Sequence, residues 1–191
     1  MIREGAVSES EQYDVVVVGA GIGGAALATF LGRRGVRTLL LDKDPSFAPI
    51  TKGESIQPRA VEILDRLGVL PRLRSEGAHQ VHGALMLDLT SDRRLILDYE
   101  SYLRSGPAFG LGIHHRSIQK AILEQAERTP DVTPRYGALV QDLLRTDGRV
   151  WGVRYRVGPR LPNWDCWLDK PVTITGRIAV PRSPSPHPAA R

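Results

Sequence analysis

Cysteine, aromatic residues and long apolar runs are all scarce in this chain of 191 residues. Its single cysteine, Cys166, has no partner for an internal disulfide and no neighbour at metal-ligand spacing, so the sequence predicts no metal site. No apolar run approaches the length that crosses a bilayer, and residues 1–12 lack the apolar core of a secretory signal. These absences predict a cytoplasmic protein that makes no contact with a membrane.

Positive charge is in modest excess and is unevenly distributed. The formal net charge is +5 at pH 7, of which five basic and two acidic residues from Gly158 onward supply +3. The remainder is close to neutral and has no basic helix with interleaved aromatic residues, so nucleic acid is not expected as a partner. Residues 158–191 are rich in Pro, Ser and Arg and are predicted to form an irregular or disordered tail, in which only Val172 to Val180 resembles a strand.

The stretch 13–42 has the pattern strand, glycine turn, helix, strand. Tyr13 to Val18 is a valine-rich run that is typical of a strand buried on both faces. Gly19, Gly21 and Gly24 follow as G-x-G-x-x-G, a spacing that permits a tight turn, close approach of a pyrophosphate to the backbone, and close packing of helix on strand. The helix predicted from about Ile22 to Arg34 begins with free amides and a positive dipole end, which together suit phosphate oxygens.

An acid at the end of the second strand completes this pattern. Asp42 follows the strand predicted at Val36 to Leu41 and lies 18 residues (42 − 24) beyond the third glycine. A carboxylate about 20 residues on accepts hydrogen bonds from the adenosine ribose in dinucleotide-binding proteins. We therefore predict a cofactor site made of Gly19, Ala20, Gly21, Ile22, Gly23, Gly24, Asp42 and Lys43.

The βα rhythm is interrupted after Asp42. The segment 43–57 is predicted to be a loop, and a helix is predicted from Pro58 to Gly68. Arg59 on this helix either faces a ligand phosphate or pairs with Glu62 or Glu54. Alternating apolar residues over 83–99 predict a β-hairpin.

The alternation of helix and strand resumes at His115. Ser117 is a candidate cap for a helix that runs to about Arg128, and a parallel strand is predicted at Val132 to Tyr136. A second hairpin, 138–157, turns at Asp147-Gly148. The four histidines at positions 79, 82, 114 and 115 lack acidic or cysteine partners at ligand spacing and are not assigned to a metal.

Taken in this order, residues 13–157 resemble the N-terminal part of flavoprotein monooxygenases of the para-hydroxybenzoate hydroxylase type. The motifs that carry the resemblance are DVVVVGAGIGGAALATFLGRRG with LLLDKDP, GESIQPRAVEILDRLGVL, HHRSIQKAILEQA and RTDGRVWGVRYR. The resemblance implies an α/β fold, with a Rossmann-like, three-layer FAD-binding domain at 13–78 and 115–157. It also implies a flexible N-terminus (1–12), an inserted β-rich substrate-domain segment at 79–114, and an FAD contact from Arg116.

The resemblance further implies a reaction. NAD(P)H would reduce bound FAD, O₂ would give a flavin hydroperoxide, and an aromatic or similar small molecule would be hydroxylated. No side chain is assigned as a catalytic acid or base. The glycine fingerprint alone also allows an NAD-binding dehydrogenase fragment or an inactive nucleotide-binding remnant.

Two later motifs of this family, one Gly-Ala-Asp-Gly-like and one containing Gly-Asp, are not found in the sequence, which leaves the family pattern near Val157. We therefore expect a member truncated at its C-terminus, as a frameshift would produce. Without family strands after Val157, Val15 to Val18 would lie at an unprotected sheet edge. The expected consequences are weak solubility and at most uncoupled NAD(P)H oxidation.

Overall fold

A computed structural model describes residues 12–46, 52–88, 90–91, 93–102, 105–157 and 171–178. The chain divides into two compact units. The first contains 1–20, 31–46 and 130–191, and the second contains 21–30 and 47–129.

The described residues form five helices and eleven strands. In order they are β1 (Gln12–Val18), α1 (Ile22–Gly32), β2 (Thr38–Leu41), β3 (Gly53–Ile56), α2 (Pro58–Arg66), α3 (Leu70–Ser75), β4 (His79–Val81), β5 (Gly83–Leu87), β6 (Arg94–Asp98), α4 (Tyr99–Tyr102), β7 (Gly110–His114), α5 (His115–Glu127), β8 (Val132–Arg135), β9 (Ala138–Thr146), β10 (Arg149–Val157) and β11 (Pro171–Ile178). Within these residues no helix combines the length and apolar character needed to cross a bilayer.

The first unit is built on a sheet whose described strands lie in the order β8-β2-β1-β11-β10-β9. β1, β2 and β8 pair in parallel, as the βα pattern predicts. β9 and β10 form the predicted antiparallel hairpin, and its turn places Asp147 and Gly148 at positive φ. The core of this unit contains the buried side chains of Val16, Leu39, Leu41, Ala138, Val153 and Tyr155.

Strand β11 occupies the side of β1 for which an open edge was predicted. It pairs in parallel with β1, with Val16 opposite Ile178, and antiparallel with β10, with Gly152 opposite Thr175. The predicted unprotected edge at Val15 to Val18 is therefore wrong. Within the tail, β11 agrees with the strand resemblance noted at Val172 to Val180 as far as Ile178. The rest of the predicted tail lies outside the described residues.

The second unit combines helices with two small sheets. β3, β7 and β4 form one sheet, and β5 with β6 forms the hairpin predicted at 83–99. The loop predicted over 43–57 contains β3, and the short elements α3, β4 and β7 were not predicted. α5 begins at His115 as predicted, but its cap residue is His114 and it has no side-chain cap, so the proposed capping by Ser117 is wrong.

An ion-pair network joins α3 to α5 in this unit. The guanidinium of Arg72 donates to both carboxylate oxygens of Glu124 and, through Nε, to Glu76 at 2.9 Å. The hydrogen bonds from Arg72 hold the pKa of Glu124 below its ordinary value. A charged carboxylate at Glu124 therefore favours the folded state.

The burial pattern of β1 predicts that alanine substitutions at Val16 and Val18 have very different effects on stability. Val16 is 0% exposed and Val18 is 50% exposed. Val16→Ala removes two buried methyl groups and leaves a cavity, so it should lower the free energy of unfolding by about 2 kcal/mol. Val18→Ala, the matched control, should change it by less than about 0.5 kcal/mol. Urea denaturation checks both values, and equal losses in the two variants would contradict the position of β1 inside the sheet.

The Arg72–Glu124 pair predicts a pH-dependent contribution to stability. Because the folded-state pKa of Glu124 is lowered, its contribution is complete above the ordinary pKa of 4.5 and is lost as the pH falls through the lower folded value. Glu124→Gln should lower the urea midpoint at pH 7, and the difference from the parent should shrink below about pH 4.5. Glu100→Gln, at an exposed position on α4, is the control. A difference that does not vary between pH 3 and pH 7 would contradict the role of the pair.

Candidate functional site

The glycine turn after β1 has an open backbone. Gly19 has φ 100°, a conformation that favours glycine, and its N–H donates to the carbonyl of Leu41 at 2.7 Å. At Gly21 and Gly23 an added methyl group would meet no atom of the described residues within 4 Å, apart from the adjoining backbone. Within the described part of the chain, neither glycine is needed to make room for another group, and the space beside them can take a ligand.

The start of α1 supplies hydrogen-bond donors next to this open backbone. Its first intrahelical bond runs from the N–H of Ala25 to the carbonyl of Gly21, at 3.0 Å. The amides of Ile22, Gly23 and Gly24 precede that bond and have no acceptor within the helix. No acidic residue lies in the first turn, so the positive end of the helix dipole is not neutralised locally. This arrangement suits phosphate oxygens.

Asp42, directly after β2, is hydrogen-bonded through all of its polar groups. One carboxylate oxygen accepts the N–H of Ala20 at 2.5 Å, and the other accepts the N–H of Asp44 at 2.9 Å. Its own N–H donates to the carbonyl of Arg135 at 2.9 Å, and its carbonyl accepts the N–H of Ala138 at 2.7 Å. The side chain of Asp42 is thus fixed against the glycine turn, as the sequence pattern predicts.

These bonds leave Asp42 able to accept more. A carboxylate offers about four acceptor positions, and only two are used by Ala20 and Asp44. The residue is partly exposed, and its neighbour Lys43 is exposed. Ribose hydroxyls can therefore donate to Asp42 without displacing the bond that holds the turn.

Arg116 lies in the second unit, in the first turn of α5, and is exposed. The residue before it, His115, belongs to a charged cluster that the sequence patterns did not single out. His115 Nδ1 and Lys52 Nζ both lie 2.9 Å from the same carboxylate oxygen of Glu54. The pKa of Glu54 is lowered, first by its hydrogen bond with Lys52 and then by the one with His115. Glu54 is 61 residues from His115, and no local motif indicates this cluster.

Two other predictions concern charged groups. Of the two alternatives given for Arg59, the structure shows the ion pair with Glu62. Among the described residues, no group of three or more His, Cys, Asp or Glu side chains is arranged to hold a metal ion.

Comparison with known families identifies this arrangement. A family profile described as "FAD binding domain" matches residues 12–158. The chain belongs to the FAD-binding domain family. The match includes the glycine turn, Asp42 and Arg116, and it ends just after the second hairpin. The predicted α/β FAD-binding fold and the predicted cofactor, FAD, are confirmed.

Relatives of this FAD-binding domain are longer oxygenases. The chain is 29% identical over 143 residues to the squalene monooxygenase of Mus musculus, covering 75% of this chain and 25% of that protein. It is 31% identical over 140 residues to 3-hydroxybenzoate 6-hydroxylase 1 of Aquipseudomonas alcaligenes, covering 72% of this chain and 35% of that protein. The chain thus spans about a quarter to a third of the length of these curated relatives.

A solved structure extends the likeness of this FAD-binding domain to the fold. The myxobacterial chondrochloren halogenase CndH, described as a new variant of FAD-dependent halogenases, superimposes with a TM-score of 0.69 at 26% identity. The superposition covers 88% of this chain and 36% of CndH. The resemblance to flavoprotein monooxygenases that the motifs indicated is confirmed by these relatives.

The open backbone at Gly21 predicts a graded loss of nucleotide binding. Because no atom of the described residues outside the adjoining backbone lies within 4 Å of the added methyl position, Gly21→Ala and Gly21→Val should fold normally. Each substitution puts carbon where the pyrophosphate approaches the amides, so the affinity for ADP should fall modestly in Gly21→Ala. In Gly21→Val it should fall about 100-fold or more, which corresponds to about two charge-assisted hydrogen bonds. Calorimetric titration with ADP measures the affinities. Unchanged affinity in a folded Gly21→Val variant would contradict the assignment of this turn.

Proposed function

We propose that this chain is the FAD-binding part of a flavin-dependent monooxygenase. The observation that carries the proposal is the open backbone at Gly21 and Gly23, where the first amides of α1 have no acceptor within the helix. The amide of Ala20, just before, is held by Asp42. Such a turn fits a pyrophosphate flanked by an adenosine ribose. The oxygenases among the relatives support the reaction type.

Each proposed cofactor residue has a distinct task. The amides of Ile22, Gly23 and Gly24 bind phosphate oxygens, and Gly19 and Gly21 permit the approach. The amide of Ala20 holds the carboxylate of Asp42 in place, and Asp42 accepts the ribose hydroxyls. Lys43 lies next to Asp42 in the sequence and adds positive charge on the adenosine side. Arg116 provides a further cationic contact to the same FAD, as the family resemblance implies. A negative charge at Asp42 disfavours a ligand with a 2′-phosphate at this site.

When bound, FAD would accept two electrons from NAD(P)H and would then activate O₂. The contribution of the chain is to bind the adenosine half and to direct the rest of the cofactor. We propose an aromatic or similar small molecule as substrate and the cytoplasm as the location, for which the single cysteine is suited. We also propose that 13–78 and 115–157 serve the cofactor while 79–114 serves the substrate.

The binding preference tests this proposal. Titration calorimetry should give tighter binding of FAD and ADP than of NAD, because the adenosine-side groups are present and the family is FAD-binding. Arg116→Ala should weaken FAD binding, whereas Arg145→Ala, an exposed arginine on β9, should leave it unchanged. Binding of NAD with FAD excluded would favour the dehydrogenase alternative. Nucleotide binding without any reduction of bound flavin by NAD(P)H would favour the inactive nucleotide-binding remnant.

The reaction is tested separately with the FAD-loaded protein. Flavin absorbance should bleach on addition of NAD(P)H under nitrogen and return on admission of air. Hydroxylated product formed in proportion to the NAD(P)H consumed would support the monooxygenase reaction. Peroxide in place of that product would mean that the reduced flavin reacts with O₂ without transferring oxygen to a substrate.

A further inference from the structure

The junction between β7 and α5 is held by the segment that leads into β3. β3 and β7 are antiparallel neighbours with Gly53 opposite His114, so Lys52 comes opposite His115. The N–H of His115 donates to the carbonyl of Lys52 at 3.0 Å. The first amide of α5 therefore has an acceptor, although the helix has no side-chain cap and no acid in its first turn.

The side chain of His115 is held by the same segment. Its Nδ1 lies 2.9 Å from a carboxylate oxygen of Glu54, and Lys52 Nζ lies 2.9 Å from that oxygen. The side chain of His115 is 19% exposed and that of Glu54 is 28% exposed, so water competes only in part for the bond between them. The backbone and the side chain of His115 are thus both bonded to the beginning of β3.

The bond to Glu54 also defines which nitrogen of His115 carries a proton. The hydrogen bond with Lys52, followed by the one with His115, keeps the pKa of Glu54 below its ordinary value, so the carboxylate is ionised at neutral pH. An ionised carboxylate can only accept, and Nδ1 of His115 must therefore donate. The carboxylate fixes the tautomer and the orientation of the ring.

The residue that follows this anchored histidine is Arg116. Its side chain is exposed and has many rotamers, whose freedom is lost when the guanidinium binds a ligand. Helix ends also fray, and a frayed first turn of α5 would add backbone freedom to the freedom of the side chain. Ordering both on binding would weaken affinity. The two bonds of His115 remove the backbone part of that loss in advance.

We propose that Glu54 is a positioning residue for FAD, which acts through His115 to fix the backbone that carries Arg116. This inference rests on the proposed contact between Arg116 and FAD. Glu54 itself does not touch the cofactor. Its contribution is to order the first turn of α5 before FAD binds, so that the ordering takes place during folding and not during binding.

A simple effect of charge would change FAD affinity in the opposite direction. The pyrophosphate of FAD is negative, so the removal of the Glu54 carboxylate should by itself strengthen FAD binding or leave it unchanged. Positioning predicts weaker binding in Glu54→Ala. In Glu54→Gln the charge is also lost, but the side-chain carbonyl can still accept from Nδ1 of His115. The two substitutions together therefore separate positioning from charge.

Calorimetric titration with FAD tests the inference in variants shown by circular dichroism to be folded. Glu54→Ala should weaken FAD binding about fivefold, and by no more than Arg116→Ala does, because it acts through that residue. The double variant should bind FAD no more weakly than Arg116→Ala alone. Glu54→Gln should stay within about twofold of the parent.

A matched control for the loss of a paired carboxylate is Glu62→Ala. Glu62 is bonded to two cations, Arg59 and Arg66, and its side chain is 25% exposed, much like that of Glu54. It lies on α2 and makes no contact with the first turn of α5 among the bonds described. Its substitution should leave FAD affinity unchanged.

Nuclear magnetic resonance of the protein without FAD gives a second measurement. At alkaline pH the nitrogen shifts of His115 should show the proton on Nδ1 in the parent and in Glu54→Gln, and this preference should be lost in Glu54→Ala. The amide of His115 should exchange with solvent faster in Glu54→Ala than in the parent, because the first turn of α5 opens more often.

Several outcomes would overturn the inference. They are losses in Glu54→Ala and Arg116→Ala that add in the double variant, a Glu54→Gln variant that binds FAD as weakly as Glu54→Ala, and an Arg116→Ala variant that binds FAD like the parent. A parent that binds FAD while Glu54→Ala binds it equally well would refute the inference alone. A parent that binds no FAD would refute the proposed function, and this inference with it.

Discussion

The bond between the Asp42 carboxylate and the Ala20 amide is the constraint on which the first unit depends. It joins the residue after β2 to the glycine turn after β1. The backbone of Asp42 also bonds to Arg135, the last residue of β8, and to Ala138, the first residue of β9. One residue thus fixes the positions of three chain segments at the same ends of the strands. Acceptor positions remain on its carboxylate, so the same side chain serves both the fold and the ribose.

The glycine turn is suited to a ligand because no side chain of the described residues fills the space beside Gly21 and Gly23. At Gly110 packing requires glycine, because an added methyl would lie 2.5 Å from the carbonyl oxygen of Ile56. At Gly21 and Gly23 no group of the described residues lies that close. The lack of a side chain at these two positions therefore leaves room for a ligand, while the bonds from Gly19 and Ala20 hold the turn in place.

Sequence patterns predicted the elements whose signals are local. The valines of β1, the glycine spacing, Asp42, Pro58 at the start of α2 and the turn at Asp147-Gly148 each specify their structure within a few residues. The sheet of β3, β7 and β4 was not predicted, because its strands are short and its pairing joins Gly53 to His114. The Lys52–Glu54–His115 cluster depends on that pairing and was missed for the same reason. β11 was recognised only as strand-like, since its partners lie far away in the chain.

The position of β11 has a consequence for synthesis. Strand β1 is translated long before its neighbour β11. Gln12 of β1 pairs with Thr175 of β11, which lies far along the chain. At typical elongation rates that interval is on the order of ten seconds. During it, β1 presents an unpaired, valine-rich edge to other nascent chains, and closing so distant a contact is intrinsically slow. The pairing of β1 with β11 is therefore among the last contacts of this sheet to become possible during translation.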